Sequence, residues 1–350
     1  MTHYTLDELG WRPAFLQSLD LDHEAISDVV RISAVHRDAY EAIGPDGEIR
    51  LHMMPIETPV EARPTVGDWV LMDRALERPA RVLDRQTLFA RKAAGHDHSV
   101  QLIAANVDAG FIVSSCNDDF NLPRLERYLS LVRDAGAFPV IVLTKADLSE
   151  DAADFAARAR KIAGDCPVET VNARDPAELE KLMIWVGKNQ TLALLGSSGV
   201  GKTTILNALT GKDEAVSGIR EDDAKGRHTT RGRSMHKLTN GGWAIDLPGM
   251  RELALAGTQE GLESTFGDLL ELTRQCRFSD CRHEQEPGCA VRAAIESGDL
   301  DEARLVRYRK LEREIERNET SIHEQRNKQR GFTKTVKQVQ SQRWAHRKRT

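Results

Sequence analysis

Residues 196–203 read Gly-Ser-Ser-Gly-Val-Gly-Lys-Thr, and no other stretch narrows so far what this chain can fold into. The pattern G-x-x-x-x-G-K-[ST] comes directly after the apolar run 192–195 and directly before 204–209, Thr-Ile-Leu-Asn-Ala-Leu, so it sits between a predicted strand and a predicted helix. In that setting the glycines let backbone N–H groups curl around phosphate oxygens. Lys202 spans the β and γ oxygens, and the Thr203 hydroxyl can ligate Mg2+. Gly196, Ser197, Ser198, Gly199, Val200, Gly201, Lys202, Thr203 and Thr204 are therefore candidate nucleotide ligands, and Lys202 is also a candidate catalytic group. Gly211 is placed to stop the helix.

Two further motifs fit a nucleotide site. Asp246-Leu-Pro-Gly249 ends the apolar segment 243–245, which puts the Asp246 carboxylate at a strand end where it can hold Mg2+ through water, with Gly249 beside the phosphates. Thr144-Lys145-Ala146-Asp147 follows the apolar run 140–143. An aspartate there accepts hydrogen bonds from guanine N1 and N2, which adenine cannot offer, while the lysine stem lies along the base. Asn172 and Ala173, at the next strand end, offer a backbone N–H to the guanine carbonyl. Between the phosphate loop and Asp246 runs a polar stretch, 212–234, containing Gly226-Arg-His-Thr-Thr230. It is either a switch segment ordered by the γ-phosphate, with Thr229 or Thr230 completing the Mg2+ shell, or a solvated loop with incidental threonines. The order is unusual: the base-reading motif precedes the phosphate loop, which implies a circularly permuted nucleotide domain.

A chain of 350 residues exceeds one comfortable core, and three domains are expected. Closely spaced short runs over 29–95, broken by Gly44-Pro-Asp-Gly47, predict a small antiparallel barrel or, alternatively, a meandering sheet packed on the next domain. From about residue 100, strands alternate with helices: 109–114 then 122–135, 140–143 then 152–163, and 192–195 then 202–209. That rhythm belongs to a parallel sheet covered by helices on both faces. With 40% apolar and 29% charged residues, no apolar run long enough to cross a bilayer and no secretory signature at the start, the chain reads as a cytoplasmic globular protein.

Cysteine usage and charge mark the C-terminal part. Cys276-x4-Cys281-x-His283-x5-Cys289 supplies three thiolates and one imidazole, the number for a closed tetrahedral zinc site, with buried thiols as the alternative. The net charge of -5 hides a basic tail, 325–350, which carries Arg343, Arg347, Lys348 and Arg349 around Trp344 and has no acid. Such a tail contacts a polyanion or is simply a solvated end.

With these motifs in this order, the chain resembles the RsgA/YjeQ family of circularly permuted, small-ribosomal-subunit-dependent GTPases. The resemblance implies an α/β fold: a circularly permuted P-loop GTPase domain with an N-terminal OB-fold β-barrel and a C-terminal α-helical zinc-binding domain. It divides the chain into an extension over 1–28, an RNA-binding barrel over 29–98, the GTPase over 99–263, a zinc domain over 264–324 and the tail. It further implies GTP and GDP as ligands with Mg2+, one structural Zn2+, the 30S subunit and 16S rRNA as partners, a monomer, no membrane, and a role in late subunit maturation. Thr144 stands where many relatives have asparagine, and Asn172 replaces a usual serine. Met250 occupies the position from which a Ras-like enzyme would orient water, and methionine cannot do so. His228 is then the resident candidate for that task, or else a structural or RNA-contacting residue. A metal-delivery GTPase is the alternative reading, separable by whether the metal site is closed. A P-loop kinase would lack the Asp147 pocket, and a pure RNA-binding module would need neither Lys202 nor Asp246.

Overall fold

The computed structural model describes residues 3–20, 28–92, 100–211, 233–247 and 259–316. His228, Thr229, Thr230, Gly249, Met250 and the basic tail lie outside the described residues. The chain forms two compact units, the first running to Gly267 and the second beginning at Asp268.

The first unit opens with a barrel of five strands, β1 (Val29–Val35), β2 (Ala39–Gly44), β3 (Gly47–His52), β4 (Trp69–Asp73) and β5 (Arg78–Val82). Alternating burial sends Val30, Ile32, Tyr40, Leu51, Val70 and Met72 into one core. Pro45 and Asp46 make the β2–β3 turn, with Gly47 at φ +105°. β1 pairs with β2 and β4, β2 with β3, and β4 with β5. The His52 N–H donates to the Glu77 carbonyl at 2.7 Å, which brings β3 against the start of β5 and closes the ring. The five-stranded barrel order 1-2-3-5-4 fits an OB-fold.

A hairpin of β6 (Leu88–Lys92) and β7 (Val100–Ala105) leads into the parallel sheet. Its strands and helices are β8 (Ala109–Ser115), α1 (Leu122–Asp134), β9 (Phe138–Thr144), α2 (Ala152–Ala163), β10 (Val168–Thr170), α3 (Pro176–Glu180), β11 (Thr191–Leu195), α4 (Lys202–Thr210), β12 (Arg233–Lys237) and β13 (Trp243–Asp246). α1 starts where Asn121 caps the Arg124 N–H and Pro123 occupies the first turn. It buries Leu125, Tyr128, Leu129 and Val132, spaced to share one face. β11 is buried at every position, as expected of a strand with helices on both sides.

The sheet runs β10-β9-β8-β11-β13-β12 and then continues into the barrel as β1-β2-β3. The join is the antiparallel pair β12–β1, with Ala34 opposite Ser234 and Val35 opposite Arg233. The fully buried Arg31 fastens the same junction. Its guanidinium donates to the carbonyls of Leu9, Gly67 (3.3 Å) and Asn106 (3.2 Å) and to Thr191 Oγ1 at 2.8 Å. Burial lowers its pKa to about 10, and Asp108 opposes that shift. The segment before β1 belongs to this core: Leu9 and Phe15 are buried with Trp69 and Trp243, and Trp243 Nε1 donates to the Glu8 carbonyl at 2.8 Å.

α5 (Gln259–Thr265) packs on α1 so closely that a Cβ at Gly261 would lie 2.7 Å from the Ser130 carbonyl oxygen. The second unit holds α6 (Gly267–Arg274), α7 (Ala290–Ser297) and a helix over 302–316. In it Leu305, Tyr308, Leu311 and Ile315 are buried on one face, and Arg304 pairs with Asp268 at 2.8 Å.

Candidate functional site: a nucleotide cleft and a Cys3His cluster

β8, β9, β10, β11 and β13 run parallel, so their C-terminal ends open on one edge. From β8 the chain moves outward through β9 to β10; from the adjacent β11 it moves the other way. This is the topological switch point at which open α/β sheets bind ligands. The phosphate loop leaves β11 there. Gly196 takes φ +143°, and a Cβ on it would come within 2.2 Å of the Val113 carbonyl oxygen, so no other residue fits. Gly199 and Gly201 also have positive φ, and α4 begins at Lys202. The Lys202 ammonium donates back to the carbonyls of Gly196 (2.8 Å) and Ser197.

The base-reading motif meets this loop through Thr144. The Thr144 side chain is fully buried, and its hydroxyl lies 2.6 Å from the Val200 carbonyl and 3.2 Å from that of Ser114. A residue at the end of β9 is thereby tied to the middle of the phosphate loop. Lys145 follows in the left-handed region, φ +59°, and Ala146–Leu148 form one 3-10 turn carrying Asp147. Asn172 spends its own N–H on the Glu178 carboxylate at 2.6 Å and caps Arg174 with its side chain. Thr144, Lys145, Asp147, Asn172 and Ala173 line one cavity of about 320 Å³. Ser198, Gly199, Gly201, Lys202, Thr203 and Thr204 line the same space. Asp246 stands opposite Leu194 in the β11–β13 register, at the same sheet edge.

Some residues at the cleft carry no sequence signature. Leu148, 74% exposed, and Arg174 line the cavity beside Asp147. Arg124, in the first turn of α1, donates to Ser197 Oγ of the phosphate loop and to Asp119 Oδ1 at 2.9 Å. Its only local mark is its place just after the Asn-Leu-Pro that caps α1, in the connection following β8.

In the second unit the ligand atoms of Cys276, Cys281, His283 and Cys289 all lie within 4.8 Å of one another. Cys276 Sγ is 3.9 Å from Cys289 Sγ, and His283 Nδ1 is 3.5 Å from both. A tetrahedral Zn2+ would set sulfurs about 3.8 Å apart and sulfur to nitrogen about 3.6 Å. The donor set therefore fits zinc in chemistry and spacing. α7 begins at the cluster, where Cys289 Sγ accepts the Arg292 N–H. Burial opposes ionisation of the Cys276 thiol. The N–H groups of Val291 and Ala290 and the neighbouring thiols outweigh it and hold that thiol below its ordinary pKa.

Among the described residues no helix is long and apolar enough to cross a membrane. The family model for the RsgA GTPase matches residues 82–256. The chain is 47% identical over 342 residues to Small ribosomal subunit biogenesis GTPase RsgA 2 of Vibrio vulnificus, covering 97% of this chain and 96% of that protein. It is 44% identical over 318 residues to the protein named Small ribosomal subunit biogenesis GTPase RsgA in Mesorhizobium japonicum, covering 90% and 91%. Among solved structures it resembles YjeQ from Thermotoga maritima, with a TM-score of 0.60 at 24% identity over 82% of this chain and 98% of that one. YloQ, described as a circularly permuted GTPase, gives a TM-score of 0.58 at 25% identity over 84% and 96%.

Proposed function

The chain belongs to the RsgA GTPase family, and from that premise we propose that it hydrolyses GTP to GDP and phosphate when stimulated by the small ribosomal subunit, during late maturation of that subunit. The observation carrying this reading is the single cavity in which Asp147 and the phosphate loop face one another, a guanine reader and a phosphate cradle. The family relationship supplies the partner. The metal-delivery alternative finds no support among the relatives cited.

In this proposal Asp147 accepts from guanine N1 and N2, the Lys145 stem covers the base with Ala146, and Asn172 and Ala173 meet its carbonyl edge. Backbone N–H groups of 196–204 and the Lys202 ammonium hold the phosphates, with Gly249 near the γ-phosphate. Thr203 and Asp246, with Thr229 or Thr230, offer the hard oxygen donors that magnesium takes. Bound magnesium would neutralise charge on the β and γ oxygens. His228 orients the attacking water.

Cys276, Cys281, His283 and Cys289 would hold one structural zinc per chain, whose four bonds would stabilise a small unit with little core of its own. Functionally we divide the chain as its sequence suggests: the barrel over 29–98 and the basic tail touch 16S rRNA in the 30S subunit, 99–263 binds nucleotide, and 264–324 holds the metal. The protein acts as a cytoplasmic monomer. The test is GTP turnover with and without purified 30S subunits. A several-fold acceleration is expected, and equal rates would sink the proposal.

A further inference from the structure

Two cations converge on one phosphate-loop residue. The Lys202 ammonium donates to the Ser197 carbonyl, and the Arg124 guanidinium donates to the Ser197 hydroxyl. The lysine belongs to the loop motif; the arginine arrives from α1, on the strand-to-helix connection after β8. Asp119 steadies it, its Oδ1 accepting from Arg124 at 2.9 Å and its backbone carbonyl at 3.4 Å. This ion pair is incomplete. Asp119 Oδ2 is buried and has no hydrogen-bond partner, a costly arrangement for a carboxylate. Arg124 itself is not locked in, for its side chain keeps 38% of its surface exposed and can turn about its own torsions. Among the described residues its three hydrogen bonds all leave from Nη1, so Nε and Nη2 are not committed to the loop. A partly free guanidinium beside Lys202 is placed to take an anion, and Arg suits phosphate oxygens because its fork donates two N–H groups at once.

We propose that Arg124 is a γ-phosphate ligand supplied in cis: its guanidinium turns from Ser197 Oγ to the γ-phosphoryl oxygens of bound GTP and stabilises the charge that develops there. In the reaction a water oxygen bonds to the γ-phosphorus as the bond from that phosphorus to the β–γ bridging oxygen breaks. The bonding electron pair goes to the bridging oxygen of the departing GDP, and the water proton ends on inorganic phosphate. Negative charge grows on the bridging and equatorial oxygens, within reach of an arginine anchored at Asp119. The chain thus carries its own cationic contribution to turnover and does not depend on a partner for all of it.

The inference rests on the phosphate loop holding GTP, so the test separates binding from reaction and is run without ribosomal subunits. Arg124→Ala and Arg124→Lys are compared with the unaltered protein for GDP affinity, basal kcat at saturating GTP, and formation of the GDP–aluminium fluoride complex read by a fluorescent GDP analogue. GDP affinity should stay within about twofold while kcat falls at least tenfold and the fluoride complex is lost in Arg124→Ala. Arg124→Lys should keep GDP affinity and regain only part of kcat, since an ammonium cannot make the forked contact. It carries the test if the alanine variant fails to fold. The proposal is overturned if GDP affinity falls along with kcat, which marks a loop brace, or if kcat and the fluoride complex are unchanged.

Discussion

Thr144 shows how much a single hydroxyl decides at the cleft. Asparagine is the commoner residue at this position of the base motif, and its replacement reads in sequence as a weakening. In the fold the hydroxyl instead reaches the Val200 carbonyl at 2.6 Å, so the residue works as a tie to the phosphate loop. The proposed metal ligands Cys276, Cys281, His283 and Cys289 are a second case, because a closed shell of four would need every donor. Purified protein is expected to contain about one zinc per chain, and Cys281→Ser to lose most of it along with the cooperative unfolding of the second unit. Metal analysis that finds no zinc, together with a serine variant that folds normally, contradicts the assignment. The glycines of the phosphate loop are legible from their spacing, whereas the spacing of the cysteines leaves a metal site and buried thiols both open until the fold brings their sulfurs and His283 Nδ1 together. Arg124 is not legible: its role depends on β8 and β11 lying side by side, which no local pattern announces.

Among elements, those with a strong period were legible and those held by neighbours were not. The helix expected over 152–163 coincides with α2, whose buried Ala156, Ala159, Ile162 and Ala163 share one face and which ends at Gly164. β12 reads Arg-Ser-Met-His-Lys, with no apolar alternation; it is a strand because β13 and β1 pair with it on either side. The segment before β1 is mixed and polar, yet Leu9 and Phe15 enter the core from short 3-10 turns that have neither helical nor strand period, and Trp11 between them packs against it. Arg31 joins these elements through four hydrogen bonds. Arg31→Met should strand the Leu9 and Asn106 carbonyls and Thr191 Oγ1, the Gly67 carbonyl keeping its bond from Asn106 Nδ2, and destabilise the first unit by about 3 kcal/mol, lowering its Tm by roughly 6 to 12 °C in a thermal scan. An unchanged Tm would show that the junction stands without it.

At the scale of the whole molecule, permutation changes where the chain enters and leaves a conventional cleft. Cutting the sheet between its central strands places β8 at the start and β13 at the end of the nucleotide fold, with the phosphate strand still at the centre. The barrel enters through β7 and is welded sideways through β1 to β12, the strand that follows the polar segment after the phosphate loop. The chain leaves through α5, which lies on α1, the helix whose first turn reaches Ser197. All of this presupposes that a motif placed early in the chain reads the base of a nucleotide whose phosphates rest on a loop placed much later. The direct measurement is nucleotide preference of Asp147→Asn, read as affinity for GDP against xanthosine diphosphate. If the two motifs form one pocket, preference moves from the guanine to the xanthine nucleotide, because the amide donates where the carboxylate accepted. Unchanged GDP binding would contradict it.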